Sequence, residues 1–111
     1  MLKDKSSKYK LSSIESAVSD FRKGKILIVV DDEDRENEGD MIFSAEKSTP
    51  ELVNFLSKNG RGLICVPMED QRLTDLDLNM MTSNNTSLHE TPFTISVDYR
   101  YDTTTGISAF D

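Results

Sequence analysis

Residues 25–43 read KILIVVDDEDRENEGDMIF, so a highly acidic segment lies between two apolar runs. The first run, residues 25–30, is rich in β-branched residues and leucine, which is typical of a strand covered on both faces. The second run, residues 41–43, predicts another short strand. The acidic segment therefore joins two interior elements and is not a free tail.

The acidic segment, residues 31–40, dominates the charge of the chain. It carries seven carboxylates and one guanidinium, and so contributes six of the seven net negative charges. Two carboxylates about 6 Å apart repel each other by about 3 kcal/mol at an effective dielectric constant of about 20. A folded loop with seven of them needs cations, protons or dispersal into solvent. A hard divalent cation is the most specific of these three answers.

The overall composition narrows the class of protein. A chain of 111 residues, 36% hydrophobic and 30% charged, is long enough for one globular domain. The net charge of −7 argues against nucleic-acid and anionic-membrane partners. The single cysteine, Cys65, excludes an internal disulfide and fits a reducing compartment. Residues 1–11 form a polar extension without the apolar core of a secretory signal, so we expect a cytoplasmic protein.

Capping residues and apolar periodicity predict the other elements. Ser12 and Glu15 form a capping-box pattern for an amphipathic helix over residues 13–23. Thr49 and Pro50 mark the start of a second helix, which runs to Gly60. A strand, a short helix, a long polar loop and a half-buried strand are then predicted at residues 63–66, 69–76, 79–92 and 93–97. These elements predict a mixed α/β fold, with a mixed sheet flanked by helices in a single domain.

Three interpretations of the acidic segment compete with a catalytic cation site. A solvated loop is the commonest outcome for a charge run, although such a loop needs no excess of acids between two apolar strands. An EF-hand loop beginning at Asp34 would place Ala45 where a bidentate glutamate belongs, and its flanks would be helices. A receiver domain also begins with a strand that ends in paired acids, but residues 70–75 are not the buried strand required before Asp77.

The segment DDEDRENEGDMIF at residues 31–43 closely resembles the signature of 3,4-dihydroxy-2-butanone 4-phosphate synthase, an enzyme family of riboflavin biosynthesis. Further blocks of the family pattern follow in the family's order: GLIC at 62–65, LNMM at 78–81, NNTS at 84–87, FT at 93–94 and TTGISA at 104–109. The resemblance covers residues 12–111, which we interpret as the N-terminal portion of a synthase domain.

The resemblance implies a lyase that converts D-ribulose 5-phosphate into 3,4-dihydroxy-2-butanone 4-phosphate and formate, with Mg²⁺ as the cofactor and Mn²⁺ as an alternative metal. Enolisation of a ketose needs a base near the proton next to the carbonyl and a Lewis acid on the oxygens that gain charge. By resemblance, Glu36 binds magnesium and substrate, Arg35 and Asp40 bind substrate, and Glu38 and Asp40 are catalytic.

The shape of the acidic segment can also be anticipated. If it is extended, Glu36 and Glu38 lie on one face because side chains alternate along a strand. Gly39 would let the backbone turn so that Asp40 points into the site, although a tight turn alone would also explain a glycine. For residues 31–34, a structural role is as good an interpretation as a functional one.

Three further residues are candidates by resemblance. Cys65 lies near the substrate in the family and is included as a catalytic candidate, although a small thiol packed in a strand is its ordinary explanation. Thr104 and Thr105 would bind substrate hydroxyls or phosphate, and a plain turn is the alternative for them.

The main departure from the family is at the C-terminal side. The family's polypeptide continues past Asp111 to a second metal ligand, a histidine in a Gly-His-Thr-Glu motif. We therefore expect an incomplete fold with exposed apolar surface, and a chain that is inactive by itself. The family's active form is a homodimer, and some members carry a GTP cyclohydrolase II. A receiver-like or acidic metal-binding or interaction domain is the competing class.

Overall fold

The computed structural model describes residues 10–111, so all but the end of the predicted 1–11 extension lies outside the described residues. The chain divides into two compact units, the first ending at Gly62 and the second beginning at Leu63. The elements, in chain order, are helix α1 Ile14–Arg22, strands β1 Leu27–Val30 and β2 Gly39–Ile42, a 3₁₀ turn Ala45–Lys47, and helices α2 Pro50–Gly60 and α3 Asp70–Asp75. The predicted mixed α/β class is confirmed.

Helix α1 matches its prediction to within one residue at each end. Its N-cap is Ser13, whose hydroxyl accepts a hydrogen bond from the Ser16 backbone N–H at 3.2 Å, rather than the predicted Ser12. The helix ends at Lys23 and Gly24, and Gly24 has the positive φ of 80° that glycine adopts without strain. The local sequence therefore determines this helix.

Strands β1 and β2 form an antiparallel hairpin that presents the acidic residues at its turn. Leu27 is paired with Ile42, and Val30 is paired with Gly39. The second strand starts at Gly39, two residues earlier than the predicted strand at residues 41–43. Residues 31–38, called the acidic loop below, connect the two strands.

Each helix of the first unit packs against one strand of the hairpin: α1 against β1 and α2 against β2. Phe21 of α1, with Leu27 and Ile42, lines an open groove of about 700 Å³. The prediction that β1 is covered on both faces is wrong, since Ile28 and Val30 are 69% and 54% exposed. A two-stranded sheet cannot enclose its own apolar side chains, and no residue between 10 and 111 is fully buried.

Helix α2 begins as predicted. The Thr49 hydroxyl accepts a hydrogen bond from the Leu52 backbone N–H at 3.2 Å, and Pro50 occupies the first helical position. The helix ends at Gly60 as predicted, and the residue that follows it, Arg61, adopts the left-handed conformation with φ 55°. Within residues 10–111, no helix has the length and apolar character needed to cross a membrane.

The second unit contains little regular structure. Helix α3 lies within the range predicted for it, and residues 79–92 form an irregular stretch as predicted. The predicted strands at 63–66 and 93–97 are wrong for the described residues, where the unit shows only an isolated bridge between Met80 and Thr94. A β-branched run becomes a strand only when a partner accepts its backbone hydrogen bonds.

Candidate active site

The acidic loop is held by the carboxylate of its first residue, Asp31. Oδ1 of Asp31 accepts a hydrogen bond from the Glu38 backbone N–H at 2.7 Å, and Oδ2 accepts one from the Glu36 backbone N–H at 2.9 Å. The Asp31 backbone N–H also donates to the Glu38 carbonyl at 3.3 Å, which closes the loop above the hairpin. The Asp31 carboxylate therefore binds the backbone N–H groups of Glu36 and Glu38, two residues that the sequence predicts for the site.

The only guanidinium of the acidic loop bridges two of its acids. Nε of Arg35 lies 3.0 Å from Oδ2 of Asp31, and Nη1 of Arg35 lies 3.4 Å from Oε1 of Glu36. Because the Arg35 side chain is 60% exposed, solvent weakens both ion pairs. The bridge neutralises part of the local charge, while the short backbone hydrogen bonds define the loop conformation.

The same contacts keep Asp31 charged. The backbone N–H of Glu38, then that of Glu36, holds the pKa of the Asp31 carboxyl below its ordinary value. Partial burial opposes this effect, and the charge of Arg35 adds to it. Protonation would weaken these hydrogen bonds, because a neutral carboxyl is a poorer acceptor than a carboxylate, so ionisation of Asp31 favours the closed loop.

Asn37, not Gly39, supplies the turn in the acidic loop. Asn37 has φ 54°, in the left-handed region that asparagine tolerates. The segment is therefore not extended around Glu36 and Glu38, so the condition under which their side chains would share one face is not met. The turning role expected of Gly39 is wrong, because Gly39 lies in β2 opposite Val30. A Cβ at Gly39 would meet the Ile28 and Val30 side chains at ordinary distances of 3.6 Å.

The loop offers one hard cation ligand rather than a cage. Among residues 10–111, no group of three histidine, cysteine, aspartate or glutamate side chains lies close enough to hold a metal ion. The Glu36 side chain is 27% exposed and keeps a carboxylate oxygen at the loop surface. One such oxygen fits an ion that takes its remaining ligands from water and substrate, as Mg²⁺ does. The strands on both sides exclude the EF-hand frame.

Two predicted site residues lie in a second loop, residues 103–111, called the threonine loop below. The Thr104 backbone N–H donates to Oδ1 of Asp111 at 2.8 Å, and the Thr104 hydroxyl donates to the same oxygen at 3.1 Å. The Ser108 hydroxyl donates to Oδ2 of Asp111 at 3.1 Å. The Thr104 N–H, followed by the Ser108 hydroxyl, holds the pKa of Asp111 below its ordinary value.

A second carboxylate, that of Asp98, also holds the threonine loop. Asp98 accepts a hydrogen bond from the Ile107 backbone N–H at 3.3 Å, and Gly106 passes beside it with φ 81°. A Cβ at Gly106 would collide with the Asp98 carboxylate. Thr105 makes no hydrogen bond to another residue of the described chain.

The predicted site residues thus fall into two groups. In the first unit, the backbones of Glu36 and Glu38 and the side chain of Arg35 meet at Asp31, and Asp40 follows in β2 opposite Val29. The second unit carries the other three candidates, Cys65, Thr104 and Thr105. The buried-strand interpretation of Cys65 is wrong, since this residue is exposed in an irregular segment. The functional roles of all seven residues stay predictions.

Sequence reasoning left the role of Asp31 open. Its donors lie five and seven residues further along the chain, beyond the local turn motifs in which an aspartate binds a backbone N–H two residues away. The one available signal was position, because Asp31 is the first polar residue after β1 and the hairpin brings the end of the loop back to it.

Comparison with known proteins decides the family. The model of the family 3,4-dihydroxy-2-butanone 4-phosphate synthase matches residues 15–111. The chain belongs to this family. The resemblance drawn from the acidic segment is confirmed, and the mixed α/β class agrees with that of the solved synthases.

Relatives and solved structures support the same assignment. The chain is 58% identical over 106 residues to the riboflavin biosynthesis protein RibBA of Parabacteroides distasonis, covering 95% of this chain and 26% of the relative. It is 55% identical over 101 residues to the 3,4-dihydroxy-2-butanone 4-phosphate synthase of Oceanobacillus iheyensis, covering 91% of this chain and 48% of the relative. A solved synthase in complex with two magnesium ions is 41% identical with a TM-score of 0.87, covering 91% of this chain and 47% of that one.

The share of each relative that is matched bears on function. The chain spans about a quarter of the RibBA proteins and about half of the shorter synthases. The names of these relatives support a role in riboflavin biosynthesis. The complete reaction, its metal and its partners are therefore proposals for this chain.

Proposed function

We propose that this chain supplies part of the active site of a Mg²⁺-dependent lyase that converts D-ribulose 5-phosphate into 3,4-dihydroxy-2-butanone 4-phosphate and formate. The observation that carries the proposal is the acidic loop, in which one carboxylate fixes the backbones of Glu36 and Glu38 without contacting their carboxylates. The Glu36 carboxylate pairs only with the exposed Arg35 among the described residues. Family membership over residues 15–111 supports the choice of reaction.

Each charged residue in and next to the acidic loop would have a different role in the reaction. Glu36 would bind the cation and orient the substrate, and Glu38 would exchange protons with the carbon and oxygen atoms that react. Arg35, with more than half of its side chain exposed, would pair with the phosphate or a substrate oxygen. Asp40, exposed at the start of β2, would bind substrate and share in proton transfer. When bound, Mg²⁺ acts as a Lewis acid toward substrate oxygens that gain charge on enolisation.

The second unit would contribute neutral hydrogen bonds. Thr104 and Thr105 would donate to substrate hydroxyls or phosphate, and the exposed thiol of Cys65 would lie near the substrate as a weaker candidate. A free, exposed cysteine fits the reducing cytoplasm in which we expect the protein to act. Mn²⁺ would substitute for Mg²⁺, and the complete enzyme would be a homodimer.

We propose further that the chain does not complete the reaction alone. A single carboxylate ligand binds Mg²⁺ weakly and leaves the substrate imprecisely held. The measurement is formate release from ribulose 5-phosphate with Mg²⁺ by the purified 111-residue chain. We expect no turnover above background, and robust turnover would contradict the proposal.

Thermal shift separates the substrate site from a plain metal-binding or interaction domain. We expect Mg²⁺ and ribulose 5-phosphate together to raise the melting temperature more than Mg²⁺ alone, since a ligand at 100 times its Kd stabilises by about 2.7 kcal/mol. Glu36→Gln should remove the joint effect. The matched control is Asp34→Asn, which makes the same charge change at a side chain without a hydrogen bond or ion pair to another described residue. Equal shifts with and without the sugar phosphate would favour the acidic metal-binding class.

A further inference from the structure

The contacts of Asp31 set it apart from the six other acids between residues 31 and 40. Its carboxylate accepts hydrogen bonds from two backbone N–H groups and pairs with Arg35, and its side chain is only 17% exposed. Within residues 10–111, the remaining carboxylates of the segment accept no backbone hydrogen bond. Asp31 thus holds the loop together from within, whereas the other acids of the segment, except the half-buried Glu36, are exposed.

The backbone contacts of Asp31 control where two other side chains point. Fixing the N–H direction of a residue restricts its φ, and with it the direction of its Cα–Cβ bond. Asp31 does this for Glu36 and for Glu38, and the left-handed Asn37 between them sets the angle from one to the other. Without the carboxylate, two N–H groups would turn to water and the loop would gain many conformations.

We propose that Asp31 is a positioning residue, which sets the directions of the Glu36 and Glu38 side chains through their backbone N–H groups. The contacts of its two oxygens are all to the loop itself, namely to the Glu36 and Glu38 N–H groups and to Arg35. This inference rests on the proposed function, in which Glu36 and Glu38 take part in the reaction. Small displacements of such groups are costly, since an error of about 1 Å can reduce a rate about 100-fold.

Two substitutions at Asp31 separate positioning from charge. Asp31→Asn keeps one oxygen that can accept one of the two N–H groups, while Asp31→Ala accepts neither. A positioning role therefore predicts the order wild type, then Asn, then Ala. A direct role of the negative charge in proton transfer or cation binding predicts that Asn and Ala are equally impaired. Asp34→Asn is the matched control for the loss of charge in the same loop.

The first readout is amide hydrogen exchange by NMR on this 111-residue chain. We expect Glu36 and Glu38 amides to exchange at least about tenfold faster in Asp31→Ala, about threefold faster in Asp31→Asn, and unchanged in Asp34→Asn. Unchanged exchange at both amides in Asp31→Ala would overturn the positioning role. This readout needs no catalysis, so it decides the structural half of the inference even if the proposed lyase activity is wrong.

The second readout is kinetics in a full-length synthase polypeptide that carries these residues. We expect Asp31→Ala to lower kcat about 100-fold with the melting temperature of the enzyme retained, and Asp31→Asn to recover about tenfold of that loss. If the wild type releases formate and Asp31→Ala keeps its kcat, positioning is refuted while the proposed function stands. If the wild type itself releases no formate, the proposed function fails and with it the catalytic half of the inference.

Discussion

The acidic loop and the threonine loop are both held by a carboxylate, but they use it differently. Asp31 accepts hydrogen bonds from the backbone N–H groups of Glu36 and Glu38 and does not contact their side chains. Asp111 accepts the backbone N–H of Thr104 and also its hydroxyl, which is the group expected to bind substrate. Asp31 binds only backbone N–H groups, whereas Asp111 also binds the Thr104 hydroxyl, which is the group that we propose to contact substrate.

The comparison also concerns charge. Outside the Asp31 contacts, the acidic loop leaves most of its carboxylates to solvent, which is how it tolerates five net negative charges. The two carboxylates that hold the threonine loop, Asp98 outside it and Asp111 within it, accept hydrogen bonds from backbone and hydroxyl donors. The first loop therefore keeps exposed carboxylates, whereas the carboxylates at the second loop are bonded to donors.

The largest expected difference between the loops is in turnover. In a full-length synthase carrying these residues, Glu36→Ala should lower formate release at least about 100-fold, because it removes the proposed cation ligand. Thr104→Val should lower it less than about tenfold, since the hydroxyl is already bonded to Asp111 and the Thr104 backbone N–H, which also binds Asp111, is retained. Steady-state kinetics at saturating Mg²⁺ measure both. A Thr104→Val effect as large as that of Glu36→Ala would contradict this difference between the Asp31 and Asp111 contacts.

A glycine in each loop region tests the backbone. Gly106→Ala should destabilise the threonine loop by about 1 to 2 kcal/mol, because φ is positive there and the new Cβ meets Asp98. Gly39→Ala should be neutral or stabilising by up to about 1 kcal/mol, because Gly39 lies in a strand with room for a methyl group. Local opening free energies from amide exchange report on each loop. A larger loss of opening free energy in Gly39→Ala than in Gly106→Ala would show that the chain turns at Gly39.

The pH dependence of the two loops should be alike. The folded-state pKa values of Asp31 and Asp111 lie below the unfolded value of about 3.9, so ionisation stabilises both loops. This stabilisation is complete above the unfolded pKa and is lost as the pH falls through the folded pKa. Carbon-detected NMR titration should give midpoints below about 3.9 for both carboxyls. A midpoint at or above that value for Asp31 or Asp111 would contradict the hydrogen bonds described for that carboxyl.

The smallest expected effect is that of the arginine bridge. Arg35→Gln should leave the Asp31 titration below its ordinary range and change the exchange of the Glu36 and Glu38 amides less than about fivefold, since exposed ion pairs contribute little. The backbone N–H groups, not the guanidinium, are the main cause of the low pKa. If Arg35→Gln increased the exchange of these amides as much as Asp31→Ala does, the guanidinium would be the group that holds the loop.

The elements that sequence predicts correctly are those whose signals are local. The capping patterns act within three residues: the predicted cap Ser12 lies one residue before the observed cap Ser13 of α1, and Thr49 caps α2 as predicted. The hairpin was also predictable, because two apolar runs flank one polar segment. The strands predicted at residues 63–66 and 93–97 are not formed. A strand needs a neighbouring strand to pair with, and the local sequence does not specify that neighbour.

The site shows the same division. The residue types of the acidic segment were enough to identify the family, because a block of this composition is rare. Its shape was not predictable, because the left-handed Asn37 breaks the two-residue alternation and moves the turn away from Gly39. The role of Asp31 depends on donors five and seven residues away, which become neighbours only when the hairpin forms.

The central claim is that the acidic loop binds a hard cation through Glu36 and then a sugar phosphate. It is tested most directly by NMR titration of the labelled 111-residue chain with Mg²⁺, followed by ribulose 5-phosphate. We expect Mg²⁺ to shift the signals of residues 35–40 first, the sugar phosphate to extend these shifts, and Glu36→Gln to abolish both. Shifts spread evenly over all acidic residues, unchanged in Glu36→Gln and insensitive to the sugar phosphate, would contradict the account.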